Sequence, residues 1–336
     1  MVIAPTPVEV LPVVSRQLGT EIWIKRDDLT HPHYGGNKPR KLLRILKRAR
    51  ELGYDAVATT GAAGSHHVLA TAIHAREAGF AVGAVLLPQR WTPHAEQVLS
   101  ATVGQGTVLE PASSYAAWLP ARMRVEATLR AQQKRVFWIA IGGSDVDGAC
   151  GYVDALDELA VQIRDGAMGG RWPDAIVCAN GSGGTHAGLL AGVRLRDAPT
   201  RVMGVLVSFR FSGAGVRTAM LAARAMARVR NGSVFAGICD IDPDHLWLNE
   251  DYLGEGYGEP TLAGARATAL FAQDGVTLDP TYTAKTAAAA LTLAQSATRV
   301  LYWHTLSSAS YDDIVCAKQI PASLRGLLRT PPERST

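Results

Sequence analysis

The sequence predicts an α/β protein built on two open, twisted parallel-sheet domains. Three observations carry that expectation. Short apolar runs recur with little polar alternation, as in AVATT (residues 56–60), AVGAVLL (81–87) and AIVC (175–178). Strands covered on both faces read this way. Each run is followed by a segment of helical periodicity, and strand–helix alternation is the pattern of a parallel sheet. The chain has 336 residues, enough for roughly two domains of about 150 residues each.

Composition narrows the class. With 47% hydrophobic and 19% charged residues, disorder and fibrous repeats are excluded. Cys150, Cys178, Cys239 and Cys316 form no CxxC pair, which argues against a zinc ribbon or disulfide scaffold and points to a reducing, cytoplasmic setting. The start MVIAPTPVEVLPVV lacks the basic and long apolar segments of a signal peptide. No window reaches about 18 uninterrupted apolar residues, so no membrane partner is expected. The formal charge is +4, and only seven of the 34 basic residues are Lys. Arginines such as those in 217–230 read as solvated helix faces, and no groove-reading motif accompanies them, so nucleic acid is not an expected partner.

Taken in order, EIWIK (21–25) is a strand. Residues 39–52 put Leu42, Leu43, Ile45 and Leu46 at helical spacing, open on Pro39 and stop at Gly53. Residues 56–60 are a buried strand, then come a Gly/Ser turn and a helix to about Ala78. Strands follow at 81–87 and 136–141, separated by a long polar helical stretch. A helix over 152–163 leads to a strand at 175–178, a glycine-rich turn and a helix over 185–194. Residues 202–207 read as a strand, 216–229, 261–273 and 285–294 as helices, and 300–304 as a closing strand. Sheets of this type take ligands where loops leave the carboxyl ends of their strands.

Three strand-to-helix turns carry candidate chemistry. NGSGGTHAG (180–188) opens a helix, so its N–H groups can converge on an anion and the helix dipole adds attraction. It matches neither the P-loop nor the dinucleotide fingerprint. A phosphate site competes here with a plain tight turn capped by Ser182 or Thr185. In YGGNKPRKL (34–42), Lys38 sits at a helix entry; desolvated, its amine would lose its proton readily and could react with a carbonyl. The alternative for Lys38 is a surface charge, the reading given to Lys41 and Lys47. In TGAAGSHH (60–67), Ser65 suits a carboxylate at a helix start or simply caps that helix. A Ser–His nucleophile pair has no partner Asp, and the adjacent His66 and His67 point apart, so no metal site is expected. A reactive lysine, a phosphate cradle and an anion-binding serine are together the parts a pyridoxal-phosphate enzyme needs.

At this point the chain resembles a known family. Pro5-Thr6-Pro7, IWIKRDDL, GGNKPRKL, GAAGSHH, IGGSDVDGACGYV, GSGGTHAGL, EGYGEPT, LDPTYTAK and LYWHT are similar, in this order and across most of the chain, to the 1-aminocyclopropane-1-carboxylate deaminase and D-cysteine desulfhydrase family. These are fold-type II pyridoxal-phosphate enzymes related to the tryptophan synthase β-subunit. The resemblance implies a large cofactor-binding domain from residues 1–40 and 155–336, a small substrate-binding domain from 41–154, and cofactor between them. It implies that Lys38 carries pyridoxal 5'-phosphate and moves the α-proton, and that Asn37 bonds the cofactor's phenolic oxygen. Gly181, Ser182, Gly183, Gly184 and Thr185 would cradle the phosphate. Ser65 would hold the substrate carboxylate, Tyr257 and Tyr282 would be active-site tyrosines, and Thr283 would face the pyridine nitrogen; His66 and His67, beside Ser65 in the same turn, are further candidate substrate-binding residues. A hydroxyl there favours a neutral ring, which suits β-elimination, and Thr305 also resembles the desulfhydrase branch.

Three positions depart from the family pattern. His66 follows Ser65 where Asn is usual, HTLSS (304–308) replaces an HTGG-like segment, and HPHY (31–34) is bulkier than the usual set. They imply an altered substrate pocket. The expected activity is α,β-elimination from a D-cysteine-like small amino acid to a 2-oxo acid and ammonia, by a homodimer. Ring opening of 1-aminocyclopropane-1-carboxylate, β-replacement and cofactor binding without turnover are the alternatives.

Overall fold

The computed structural model describes residues 5–209, 213–241, 246–296 and 299–329. Along the chain run β1 (Val8–Val10), α1 (Pro12–Leu18), β2 (Glu21–Arg26), α2 (Lys38–Glu51), β3 (Ala56–Ala62), α3 (His66–Glu77) and β4 (Ala81–Leu87). There follow β5 (Gln89–Arg90), α4 (Pro93–Gly104), β6 (Val108–Pro111), α5 (Trp118–Ala131), β7 (Val136–Trp138), α6 (Val146–Arg164), β8 (Ala175–Asn180) and α7 (Gly184–Leu195). The remainder comprises β9 (Arg201–Leu206), α8 (Ala214–Arg230), α9 (Val234–Cys239), β10 (Trp247–Asn249), α10 (Leu262–Phe271), α11 (Thr283–Leu293), β11 (Arg299–His304), α12 (Ala322–Arg325) and β12 (Leu328–Arg329). Among the described residues no helix is long and apolar enough to cross a membrane.

The chain divides into two compact units. The larger, Val2–Lys41 with Ser144–Ser308, holds a six-stranded sheet in the order β1-β2-β11-β8-β9-β10. Only the β1–β2 pair is antiparallel. Its central strands are apolar on both sides. Ile22, Ile24, Val177, Val205, Val300 and Tyr302 pack one face against α11, and Ile176, Cys178, Val202, Leu301 and Trp303 pack the other against α6. That two-sided burial is why these strands read as continuous apolar runs.

The smaller unit, Leu42–Gly143 with Ala309–Thr336, holds the all-parallel sheet β6-β4-β3-β7. Its extent differs from the expected residues 41–154. α6 belongs to the larger unit, and the described chain from Ala309 joins the smaller one. The reason is a two-residue ladder between β12 and β5 together with Ile320, Leu324, Leu327 and Leu328, which pack on Val68, Leu86 and Leu99. The polar stretch expected as one helix is two, α4 and α5, separated by β6.

Candidate active site

The larger unit builds most of the predicted site at the carboxyl ends of its strands. β2 runs into Asp27, and the GGN turn that follows is pinned by backbone bonds from Gly36 N–H to Asp27 O (2.8 Å) and from Asn37 N–H to Thr305 O (3.2 Å). The Gly35 N–H donates to Ser307 Oγ at 2.9 Å, so one residue of the unusual HTLSS segment holds the turn that presents Lys38. The first turn of α2 is anchored from below. The Arg40 guanidinium forks onto Asp27 (3.0 and 2.8 Å) and Glu158 (2.9 and 3.0 Å). Asp27 also accepts from Tyr152 OH (2.8 Å) and Trp303 Nε1 (2.6 Å), and Lys25 pairs with Glu158. The buried charges of this cluster are thus each matched by an opposite one, and removing a single partner would leave the other uncompensated.

Lys38 is partly buried, and its Nζ donates to Asn37 Oδ1 at 2.8 Å. The Asn37 amide in turn donates to Thr185 Oγ1 at 3.0 Å. Burial pushes the Lys38 ammonium down to about 8, and the negative charge of Asp279 opposes that shift. An amine in this range is available as a nucleophile and base near neutrality.

Thr185 lies in the first turn of α7, directly after the Gly181–Gly183 turn. Asn180 fixes the turn: its amide donates to His186 Nδ1 (2.8 Å) and to Thr218 Oγ1 (3.3 Å). The opposite ring nitrogen of His186 donates to Val202 O (3.2 Å), and burial holds this imidazole neutral, at about 4. No side chain caps α7; its N-cap is Gly183, at φ +88°. Above the turn, the Ser144 hydroxyl lies 2.6 Å from Ser182 Oγ, accepts from Gly184 N–H (3.0 Å) and has Lys41 Nζ at 3.5 Å. A Cβ at Gly184 would stand 2.5 Å from Ser144 Oγ and 3.0 Å from Lys41 Nζ, so a side chain there would push these two groups out of the cradle.

Tyr257 and Tyr282 have their hydroxyls 2.6 Å apart and their rings edge to face at 5.8 Å. Burial raises both phenols, so both keep their protons at neutral pH. Thr283 follows at the start of α11. Its hydroxyl donates to Asp279 Oδ2 (2.7 Å) and accepts from Asp279 N–H (2.6 Å). The proton expected to face the pyridine nitrogen is thus directed at a carboxylate, and Thr283 retains only a lone pair for another donor.

In the smaller unit, Ser65 caps α3 by accepting from Val68 N–H at 3.4 Å. His66 and His67 diverge. His66 Nε2 lies 2.9 Å from His94 Nε2. His67 turns inward, with Nε2 2.9 Å from Thr59 Oγ1. Because that hydroxyl gives its own proton to Ile139 O (3.1 Å), His67 donates there, and its side chain is buried within this unit.

Comparison with known proteins settles the family. A family model described as "Pyridoxal-phosphate dependent enzyme" matches residues 1–305. The D-cysteine desulfhydrase of Salmonella choleraesuis (strain SC-B67) is 37% identical over 290 residues, 84% of each chain. The chain belongs to the pyridoxal-phosphate dependent enzymes. A crystal structure of an ACC deaminase homologue superposes with a TM-score of 0.78 at 28% identity, covering 97% of this chain and 94% of that one. A fungal L-serine ammonia-lyase from Rhizomucor miehei (TM-score 0.62, 17% identity, 93% and 96% covered) shares the fold.

The residues of this enzyme fit the cofactor. Its phosphate is a dianion at neutral pH, and the donors gathered at α7 are the kind a phosphate needs: Gly184 N–H, two serine hydroxyls and a buried ammonium. Two of them were not expected from the sequence. Lys41, whose residue type and spacing suggest a surface charge, is 2% exposed. Burial pushes it well below its usual value, the neighbouring Lys38 pushes it further, and Asp145 opposes. Ser144 stands in the IGGSDVDG motif, which carried no role. The available signal was spacing: Lys41 follows Lys38 by one helical turn, on the same face.

Proposed function

We propose that this pyridoxal-phosphate enzyme is a lyase that eliminates the β-substituent of a D-cysteine-like small amino acid, releasing a 2-oxo acid and ammonia. The observation that carries the reading is Lys38, a lysine lowered to about 8 and joined through Asn37 to the start of α7. When bound, the cofactor supplies the electron sink for the bonds broken at the substrate's α-carbon. Lys38 Nζ then takes the α-proton, and Asn37 keeps that amine oriented. Lys41, Ser144, Ser182 and the N–H groups of Gly184 and Thr185 hold the phosphate. Ser65, at the N-terminus of α3, anchors the substrate carboxylate, where the helix dipole favours an anion. The tyrosine pair keeps its protons and so offers a donor for the departing group.

The desulfhydrase identity of 37% supports D-cysteine as the substrate; for it the balance is D-cysteine plus water giving pyruvate, hydrogen sulfide and ammonia. A second reading, ring opening of 1-aminocyclopropane-1-carboxylate, draws support from the Tyr257–Tyr282 pair and from the similarity to the ACC deaminase homologue. Supplying each compound to the holoenzyme separates them. Sulfide and pyruvate from D-cysteine support elimination, 2-oxobutyrate from the cyclic amino acid supports ring opening, and product only with an added nucleophile would mean β-replacement. The scattered cysteines support a cytoplasmic setting, and the family resemblance supports a homodimer, which sedimentation would test.

A further inference from the structure

We infer that Lys285 is a positioning residue whose buried amine clamps the glycine-rich loop at residues 253–258 onto α11 and thereby sets the Tyr257–Tyr282 hydroxyl pair. The inference rests on the function proposed above only in assigning those tyrosines to the active site. Lys285 is 0% exposed. Its Nζ donates to Leu253 O at 2.7 Å and to Gly256 O at 2.8 Å, reaching back 32 and 29 residues. Fully buried lysines are rare, and this one is bound to backbone carbonyls.

The loop needs such a clamp. Gly254, Gly256 and Gly258 flank Tyr257 and all take positive φ, at +65°, +142° and +80°. Glycines lose more conformational freedom on ordering than any other residue, so this stretch has little intrinsic tendency to hold one shape. Lys285 restrains it immediately before Tyr257. The other member of the pair is the N-cap residue of the same helix, in a turn where Asp279 accepts from the N–H groups of Thr281 (2.9 Å), Tyr282 (2.7 Å) and Thr283 (3.1 Å). α11 therefore carries Tyr282 at its N-cap and Tyr257 through Lys285. The hydroxyl contact at 2.6 Å requires both restraints. Burial pushes the Lys285 ammonium down to about 8, with Asp279 opposing.

The test is a double-mutant cycle on the holoenzyme with D-cysteine. Lys285→Met lowers kcat/KM about 10- to 100-fold, the scale of a displaced active-site group, and leaves the cofactor's visible absorption unchanged. In a Tyr257→Phe background the same substitution costs no more than about twofold, because its effect passes through Tyr257. Lys285→Gln, which keeps two N–H donors, recovers part of the loss and replaces Lys285→Met in the cycle if the latter does not fold. Amide hydrogen exchange of residues 253–258 rises in Lys285→Met. Losses that multiply in the double variant, or unchanged exchange in the loop, overturn the inference. Absence of turnover in the wild-type holoenzyme would instead sink the proposed function, and the exchange measurement would still decide the clamp.

Discussion

Replacing Lys41 by Met tests the phosphate cradle most directly, because it should move two quantities in different directions. Lys41 Nζ lies 3.5 Å from Ser144 Oγ, within a layer that also contains Ser182 Oγ and Gly184 N–H. A charge-assisted hydrogen bond from a buried ammonium to a phosphate oxygen contributes about 1.5–3 kcal/mol. Its loss should weaken cofactor binding about 10- to 150-fold. Without cofactor the same amine is buried beside Lys38, and both burial and that neighbour disfavour its charged form. Methionine fills similar volume without that penalty, so the thermal midpoint of the cofactor-free protein should hold or rise. Titrating cofactor-free enzyme with pyridoxal 5'-phosphate, and in parallel with pyridoxal, isolates the phosphate contribution. The loss should appear for the first and vanish for the second. An equal loss for both, or a change below about twofold, would refute the placement of the phosphate at Lys41.

Other outcomes follow from the same geometry. Lys38→Ala should abolish the visible absorption of the lysine–cofactor conjugate and cut turnover by at least about 10²-fold, the scale of a removed general base; retained turnover would move the role to another lysine. Ser65→Ala should raise KM for the amino acid about tenfold or more, the scale of one hydrogen bond to a charged group, with a smaller change in kcat. Glu158 governs an acid limb. Burial opposes its ionisation, but Arg40 and Lys25 outweigh that and hold its carboxyl at about 2, against 4.5 ordinarily. Its folded-state value is depressed, so its stabilisation is fully present above about pH 4.5 and is lost as pH falls toward about 2. The amount is about 3 kcal/mol. Urea unfolding between pH 2 and 6 should show this slope in the wild type and a flatter one in Glu158→Gln.

The sequence by itself determined the fold class, because parallel strands buried on both faces must be continuously apolar and must alternate with covering helices. It also singled out Lys38 and the GSGG turn, whose chemistry depends on neighbours close in the chain: Asn37 is adjacent to Lys38, and a glycine turn followed by a helix makes its own anion site. Only the tertiary structure separated Lys41 from Lys47. Both are lysines on α2, and what desolvates Lys41 is Ser144 and Gly184, more than a hundred residues away. Lys285 was hidden for the same reason, since its partners are carbonyls of a distant loop. That the Thr283 hydroxyl donates to Asp279 is decided by the fold of the turn before α11, not by residue type. The inward turn of His67 onto Thr59 is likewise tertiary, since nothing in GSHH says which way the first turn of α3 faces. The short β12, with two residues, carries no periodicity at all, and its pairing with β5, together with the packing of Ile320, Leu324, Leu327 and Leu328, assigned the described C-terminal segment to the smaller unit. Local chemistry can be read along the chain, whereas desolvation and hydrogen-bond partners are set by segments that meet only on folding.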